Sequence, residues 1–165
     1  PLVEVSPSEE TSPQVVDRFM KLLEGIGKVP VKCKPAPGYI VPRLQSLIMS
    51  EACRMVEQGV ATPDEIDRAV TTGLGIRFAT MGPIEFVDWG GLDILFHANR
   101  YLSTELGERY ETPKIVDAHM EKGNLGLKTG KGMYDFSNVD VDSRSTPILR
   151  STDSSLATKR RKSNT

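Results

Sequence analysis

The apolar run that follows Pro37-Gly38 restricts the fold of this chain more than any other segment. From Ile40 to Val56, apolar residues recur three or four positions apart, which is typical of an amphipathic helix with a wide apolar face. Pro42 is compatible with such a helix only in its first turn, where a missing N–H costs no helical hydrogen bond. The sequence therefore predicts a helix from about Ile40 to Gly59 with one buried face.

The first 35 residues predict a different kind of structure. Leu2–Val5 and Val29–Cys33 have the composition of short strands, and an apolar periodic segment beginning at Ser12-Pro13 predicts a helix between them. A strand, a helix and a second strand at this spacing favour a parallel βαβ unit. Because two strands are too few to be stable alone, we expect residues 1–35 to be the last part of a larger α/β domain.

Beyond the turn at residues 35–38, the patterns are helical. Thr62 and Glu65 form a capping box, and we expect that helix to run to about Thr72 and to stop at Gly73. Further helices are predicted over 84–89, over 92–106 and from Pro113, the last with Ile115, Val116, His119 and Met120 facing inward. A glycine-rich loop, 123–132, and a short extended segment, 133–136, follow. Residues 36–137 are therefore predicted to be one helical domain.

The end of the chain, residues 138–165, is rich in Ser, Thr, Asp, Lys and Arg and finishes with a basic run. This composition is typical of a disordered polar tail. The formal net charge of −1 gives no indication of a nucleic-acid or membrane partner. The two cysteines, Cys33 and Cys53, favour a reducing compartment, and no spacing of side chains indicates a metal site. We expect a cytoplasmic protein, with a mitochondrial or peroxisomal location as the alternative.

Four motifs in order resemble one protein family, the 3-hydroxyacyl-CoA dehydrogenases, and among them the 3-hydroxybutyryl-CoA dehydrogenases. The resemblance covers residues 1 to about 137. Its motifs are Leu2-Val3-Glu4-Val5, then Pro37-Gly38-Tyr39-Ile40-Val41 with Arg43-Leu44, then Met81-Gly82-Pro83 with Glu85 and Asp88, and finally Lys128-Thr129-Gly130-Lys131-Gly132-Met133-Tyr134.

The resemblance implies an NAD-dependent oxidation of a 3-hydroxyacyl-CoA to a 3-ketoacyl-CoA in fatty-acid metabolism. It implies a Rossmann domain for NAD, of which residues 1–35 are the remnant, and a helical domain that forms a homodimer. Glu4 matches the carboxylate that orients the catalytic histidine, and Lys128 lies in the loop that reaches towards NAD. Pro42 occupies a substrate-binding position where the family usually has asparagine.

The family's histidine precedes the Leu2–Val5 motif, so neither His97 nor His119 matches it. The sequence also contains no G-x-G-x-x-G fingerprint for a dinucleotide. We therefore expect the chain alone to be inactive. The alternatives are a non-catalytic helical dimerisation module and a gulonate-type dehydrogenase that acts on free 3-hydroxy acids, which Pro42 favours. From pattern alone, Glu4 would be a solvent-facing strand carboxylate, and the resemblance reverses this reading. Lys128 could equally be a solvated loop lysine if the chain stands alone.

Overall fold

A computed structural model describes residues 1–137, which form two compact units, Pro1–Asp67 and a second unit beginning at Arg68. Most described residues are helical, and the strands among them are β1 (Leu2–Val5) and β2 (Val29–Lys32). This confirms the predicted mainly helical fold preceded by a strand–helix–strand segment. The predicted tail, 138–165, lies outside the described residues, and the predicted domain boundary after residue 35 stays a prediction.

The first unit begins with a parallel βαβ segment, as predicted. β1 and β2 pair in parallel, from Leu2 opposite Val29 to Val5 opposite Lys32. Helix α1 (Pro13–Gly25) connects them and buries Val16 and Leu23. The Ser12 hydroxyl makes no capping hydrogen bond, although Ser12 holds the predicted N-cap position.

Helix α2 (Val41–Glu57) starts one residue later than predicted, with Pro42 in its first turn. The expectation that α2 buries one face is wrong for this chain by itself. No residue of α2 is buried, and Leu44 and Leu47 are 44% and 59% exposed. A unit as small as Pro1–Asp67 has too little interior to cover every apolar stripe that it carries.

Helix α3 (Pro63–Ala69) begins at the predicted capping box. Glu65 Oε2 accepts the Thr62 N–H at 2.9 Å and the Thr62 hydroxyl at 2.8 Å, and these bonds lower the pKa of Glu65. The predicted stop at Gly73 is wrong, because a π-helical turn (Val70–Leu74) leads directly into α4 (Gly75–Phe78). A glycine inside a helix costs only about 1 kcal/mol relative to alanine, so its neighbours can override it.

Three further helices belong to the second unit: α5 (Pro83–Gly90), α6 (Leu92–Leu106) and α7 (Lys114–Glu121). They confirm the predicted helices, while the 3₁₀ turns Glu108–Tyr110 and Leu127–Thr129 had no sequence signal. Leu92, Val116 and Phe136 are its buried apolar residues. Ile115, predicted to face inward, is 56% exposed. None of the helices within residues 1–137 has both the length and the hydropathy needed to cross a bilayer.

The predicted extended segment 133–136 is a turn and not a strand. Within it, only Asp135 has a β-type pairing, with Lys131, which also pairs with Gly126. The N–H groups of Met133 and Tyr134 are instead bonded to a buried side chain of α5, described below.

Candidate functional site

Glu4 is hydrogen-bonded to the start of α2, within the first unit. Its Oε2 accepts the N–H of Ile40 and its Oε1 accepts the N–H of Val41, both at 2.8 Å. The first N–H groups of a helix have no intrahelical partner and carry partial positive charge, so a carboxylate is a favoured acceptor there. The two bonds hold the Glu4 carboxylate in one orientation, and the residue is half-buried.

These two bonds leave part of the carboxylate available. An ionised carboxylate has about four lone-pair positions, and the backbone donors use one on each oxygen. The remaining positions can accept an N–H from an imidazole, which is the role that the family resemblance implies for Glu4. No imidazole is bonded to Glu4 among residues 1–137, so this catalytic role stays a prediction.

Pro42, at the predicted substrate-binding position, lies directly after the residues bonded to Glu4. Its ring carries no hydrogen-bond donor or acceptor, and it has no backbone N–H. The donors around it are all satisfied: Ile40 and Val41 by Glu4, Arg43 by the carbonyl of Gly38, and Leu44 by the carbonyl of Ile40. Because proline has no N–H, it adds no unsatisfied donor to this turn. Its contact with a substrate stays a prediction.

Lys128, the predicted cofactor-binding residue, is paired with Asp93 in the second unit. Its Nζ lies 2.5 Å from Asp93 Oδ1 and 2.6 Å from Oδ2. The hydrogen bond from Lys128 lowers the pKa of Asp93 below its ordinary value. The pair closes over Gly91, where an added Cβ would lie 2.6 Å from Asp93 Oδ1. An ammonium has three N–H donors, and the contact of Lys128 with NAD stays a prediction.

Asp88 organises the glycine-rich loop, and sequence reasoning missed this. It is fully buried, and its two carboxylate oxygens accept the N–H groups of Met133 at 2.9 Å and Tyr134 at 2.8 Å. An added Cβ at Gly132 would lie 2.1 Å from Asp88 Oδ1, and one at Gly126 would lie 2.2 Å from the Asp88 carbonyl oxygen. Close packing against Asp88 therefore requires glycine at positions 126 and 132, and the recurrence of glycine in this loop was the available signal.

The two histidines do not form a catalytic pair with a carboxylate in the described contacts. His97 packs edge-on against Phe96, with ring centroids 5.3 Å apart. His119 is half-buried in α7, and its Nδ1 has no hydrogen-bond partner among the described residues. Within residues 1–137, no group of three or more His, Cys, Asp or Glu side chains is placed to hold a metal.

Two family models match the chain in succession. Residues 1–36 match the NAD binding domain of 3-hydroxyacyl-CoA dehydrogenase, and residues 38–136 match its C-terminal domain. The chain belongs to the 3-hydroxyacyl-CoA dehydrogenase family. This confirms the resemblance found in the motifs, and NAD is the cofactor of this family.

Individual members of the family support this assignment. The chain is 33% identical to a 5-formyl-3-hydroxy-2-methylpyridine 4-carboxylate 5-dehydrogenase of Mesorhizobium japonicum, over 81% of this chain and 44% of that protein. It is 37% identical to a probable 3-hydroxyacyl-CoA dehydrogenase of Caenorhabditis elegans, over 82% and 45%. The crystal structure of a 3-hydroxyacyl-CoA dehydrogenase from Archaeoglobus fulgidus superposes with a TM-score of 0.75 at 31% identity, covering 90% of this chain and 52% of that one. The chain thus spans less than half the length of the two curated relatives and about half that of the solved structure.

The described residues do not by themselves provide a site for NAD. A dinucleotide binds at a glycine-rich turn between a strand and a helix. The turn between β1 and α1, residues 6–12, contains no glycine. The predicted contact of Lys128 with NAD therefore stays a prediction.

Proposed function

We propose that this chain is the substrate-binding and dimerising part of an NAD-dependent dehydrogenase that oxidises the 3-hydroxyl group of an acyl substrate to a ketone. The observation that best supports this is the fixed carboxylate of Glu4 at the start of α2. An oxidation of this kind needs a base for the hydroxyl proton, and a histidine base needs a carboxylate that fixes its tautomer.

Glu4 would act on that histidine in two ways. It would accept the N–H of the imidazole, so that the other ring nitrogen faces the substrate hydroxyl. It would also stabilise the imidazolium that forms when the hydroxyl proton is taken up. The two backbone N–H groups of Ile40 and Val41 hold this carboxylate in one orientation, so that it can fix the orientation of the imidazole in turn.

Two substrate classes fit this proposal. The first is a 3-hydroxyacyl-CoA, the substrate for which the family is named, and it would place the reaction in fatty-acid metabolism. The second is a free 3-hydroxy acid. It is favoured by Pro42, which offers no amide to an acyl group, and by the Mesorhizobium japonicum relative, whose name describes a carboxylate substrate.

Steady-state rates test the proposal and separate the two classes. The protein expressed from its complete coding sequence is assayed with NAD and either 3-hydroxybutyryl-CoA or free 3-hydroxybutyrate. Glu4→Gln should lower kcat by about 10²-fold or more, since general base catalysis contributes that much. Glu10→Gln, an exposed acid in the turn after β1, is the matched control. No NADH formation with either substrate, or a Glu4→Gln rate within about twofold of the parent, contradicts the proposal.

We also propose that two copies of the chain associate through the helical region. The support is the apolar stripe of α2, which this chain leaves exposed: Val41, Leu44, Leu47 and Ile48 are all more than a third accessible. An apolar surface of this extent typically marks an interaction site. Sedimentation velocity at micromolar concentration should give a dimer, and a strict monomer would exclude the association. A dimer that lacks activity in the assay above would support the alternative of a non-catalytic module.

A further inference from the structure

A cavity of about 320 Å³ lies beside α5 in the second unit, apart from the residues assigned above. It is lined by Arg77, Thr80, Met81, Phe86 and Trp89. Arg77 is the charged member of this lining, and the remaining walls are mainly apolar and aromatic. A concave apolar site with one well-placed polar group is the usual form of a small-molecule site.

The guanidinium of Arg77 is oriented by an aromatic ring and not by an acid. It lies over the Phe86 ring, 5.6 Å from the centroid. No carboxylate forms an ion pair with it among residues 1–137, in contrast to Arg54, which is paired with Glu51 at 3.1 Å. A guanidinium is always charged and presents a planar row of donors that matches a carboxylate. Its N–H groups are therefore free to take an anion from outside.

The aromatic walls fit a flat ligand. Phe86 and Trp89 are nearly parallel, with an interplanar angle of 20° and centroids 6.3 Å apart. Trp89 is 49% exposed, which is unusual for so large an apolar side chain and leaves indole surface available for stacking. Met81 adds a flexible apolar wall of the kind that adapts to a ligand's shape.

We propose that this cavity binds a small carboxylate with a flat apolar body. Arg77 would hold the carboxylate through paired N–H bonds, and Trp89 would stack against the body. A guanidinium can pair with a carboxylate or a phosphate, and the apolar and aromatic walls favour an anion that carries a flat apolar body over inorganic phosphate. The inference goes beyond the proposed dehydrogenase function, because it concerns a second ligand site, which lies in the second unit, whereas Glu4 belongs to the first.

Binding can be followed without cofactor or turnover, because Trp89 is the single tryptophan of the 165-residue chain. Its fluorescence is titrated in the complete chain with benzoate, with benzamide as the uncharged isostere and with inorganic phosphate, at constant ionic strength. We expect benzoate to give a saturable change with a Kd on the order of 1 mM, as befits a ligand of its size. Benzamide lacks the negative charge that pairs with Arg77, and phosphate lacks the flat apolar body that stacks on Trp89. Each should therefore bind at least about tenfold more weakly than benzoate.

Two variants assign the effect to Arg77. Arg77→Gln should weaken benzoate binding by at least about tenfold, the value of one charge-assisted hydrogen bond. Arg100→Gln is the matched control, since Arg100 stacks over Phe96 at 5.5 Å and lies outside the cavity lining. Circular dichroism checks that both variants fold.

Three results would overturn the inference: no saturable change with benzoate, equal binding of benzamide or phosphate, or equal binding to Arg77→Gln. Activity of the complete protein with 3-hydroxybutyryl-CoA alongside any of these results would leave the dehydrogenase function intact and reject the carboxylate site alone. The two failures are therefore distinguishable.

Discussion

Replacing Asp88 by alanine should release the glycine-rich loop from α5. The wild-type carboxylate is fully buried and accepts two backbone N–H groups, those of Met133 and Tyr134. Alanine removes both acceptors at once. The main chain around residue 133 then has no alternative partner in its present position, so the loop must either keep unsatisfied donors or move into water.

The expected loss follows from these two bonds. A hydrogen bond to a charged group contributes about 1.5–3 kcal/mol, which gives roughly 3–6 kcal/mol for the pair. Two effects reduce this value. The variant no longer buries a charge, and the freed N–H groups can be hydrated once the loop opens, because Tyr134 is already 52% exposed. We therefore expect Asp88→Ala to lower the free energy of unfolding by about 2–4 kcal/mol.

Urea denaturation measures this loss, and limited trypsin digestion locates it. If the loop alone opens, cleavage after Lys128 and Lys131 should accelerate before the rest of the chain is cut. Glu105→Ala, which removes an exposed acid from α6, is the control and should leave both measurements near the parent values. An Asp88→Ala chain within about 0.5 kcal/mol of the parent, with unchanged cleavage, would refute the reasoning, because ordinary surface substitutions fall in that range.

Three further predictions follow from described contacts. Gly132→Ala should lower the free energy of unfolding, measured by urea denaturation, by more than about 2 kcal/mol, because the added Cβ would overlap the buried carboxylate of Asp88. Gly130→Ala is the control, because an added Cβ there meets nothing within 4 Å. It should lose only the roughly 1–2 kcal/mol that a left-handed alanine costs. Lys128 lowers the folded-state pKa of Asp93, so the pair stabilises the fold at pH values above the ordinary aspartate pKa, and this stability is lost as the pH falls through the lowered pKa. Lys128→Gln should raise the pKa of Asp93 measured by NMR titration. An unchanged pKa of Asp93 would contradict this prediction. Leu47→Glu should convert the expected dimer to a monomer in sedimentation velocity, and a dimer that survives would place the interface elsewhere.

The sequence predicted the strongly periodic elements well. Helix α6 has the predicted bounds, Leu92–Leu106, because its apolar residues recur at helical spacing and Gly91 and Gly107 mark its ends. The same reasoning failed between Val70 and Phe78, where Gly73 suggested that the helix would stop. The helix continues there because the penalty of a single glycine is small compared with the gain from adjoining helical turns.

The contacts that hold the candidate site could not be predicted from local patterns. Asp88 bonds the backbone 45 and 46 residues further along the chain, and a backbone N–H has no residue-specific signature. The partner of Lys128 is likewise 35 residues away. The bonding of Glu4 to the start of α2 could not be predicted for the same reason, because the groups that donate to its carboxylate are the main-chain N–H groups of Ile40 and Val41. Spacing along a sequence identifies the elements, whereas these pairings are decided by the folded path.

The contact between Asp88 and the loop glycines also bears on how this protein can vary through mutation. The space denied to a Cβ at Gly132 is filled in part by the carboxylate of Asp88, so a shorter residue at position 88 vacates room there. Losses at positions 88 and 132 should therefore show epistasis, the double variant being less damaged than the sum of the single ones. Changes at these two positions are best tolerated when they are inherited together.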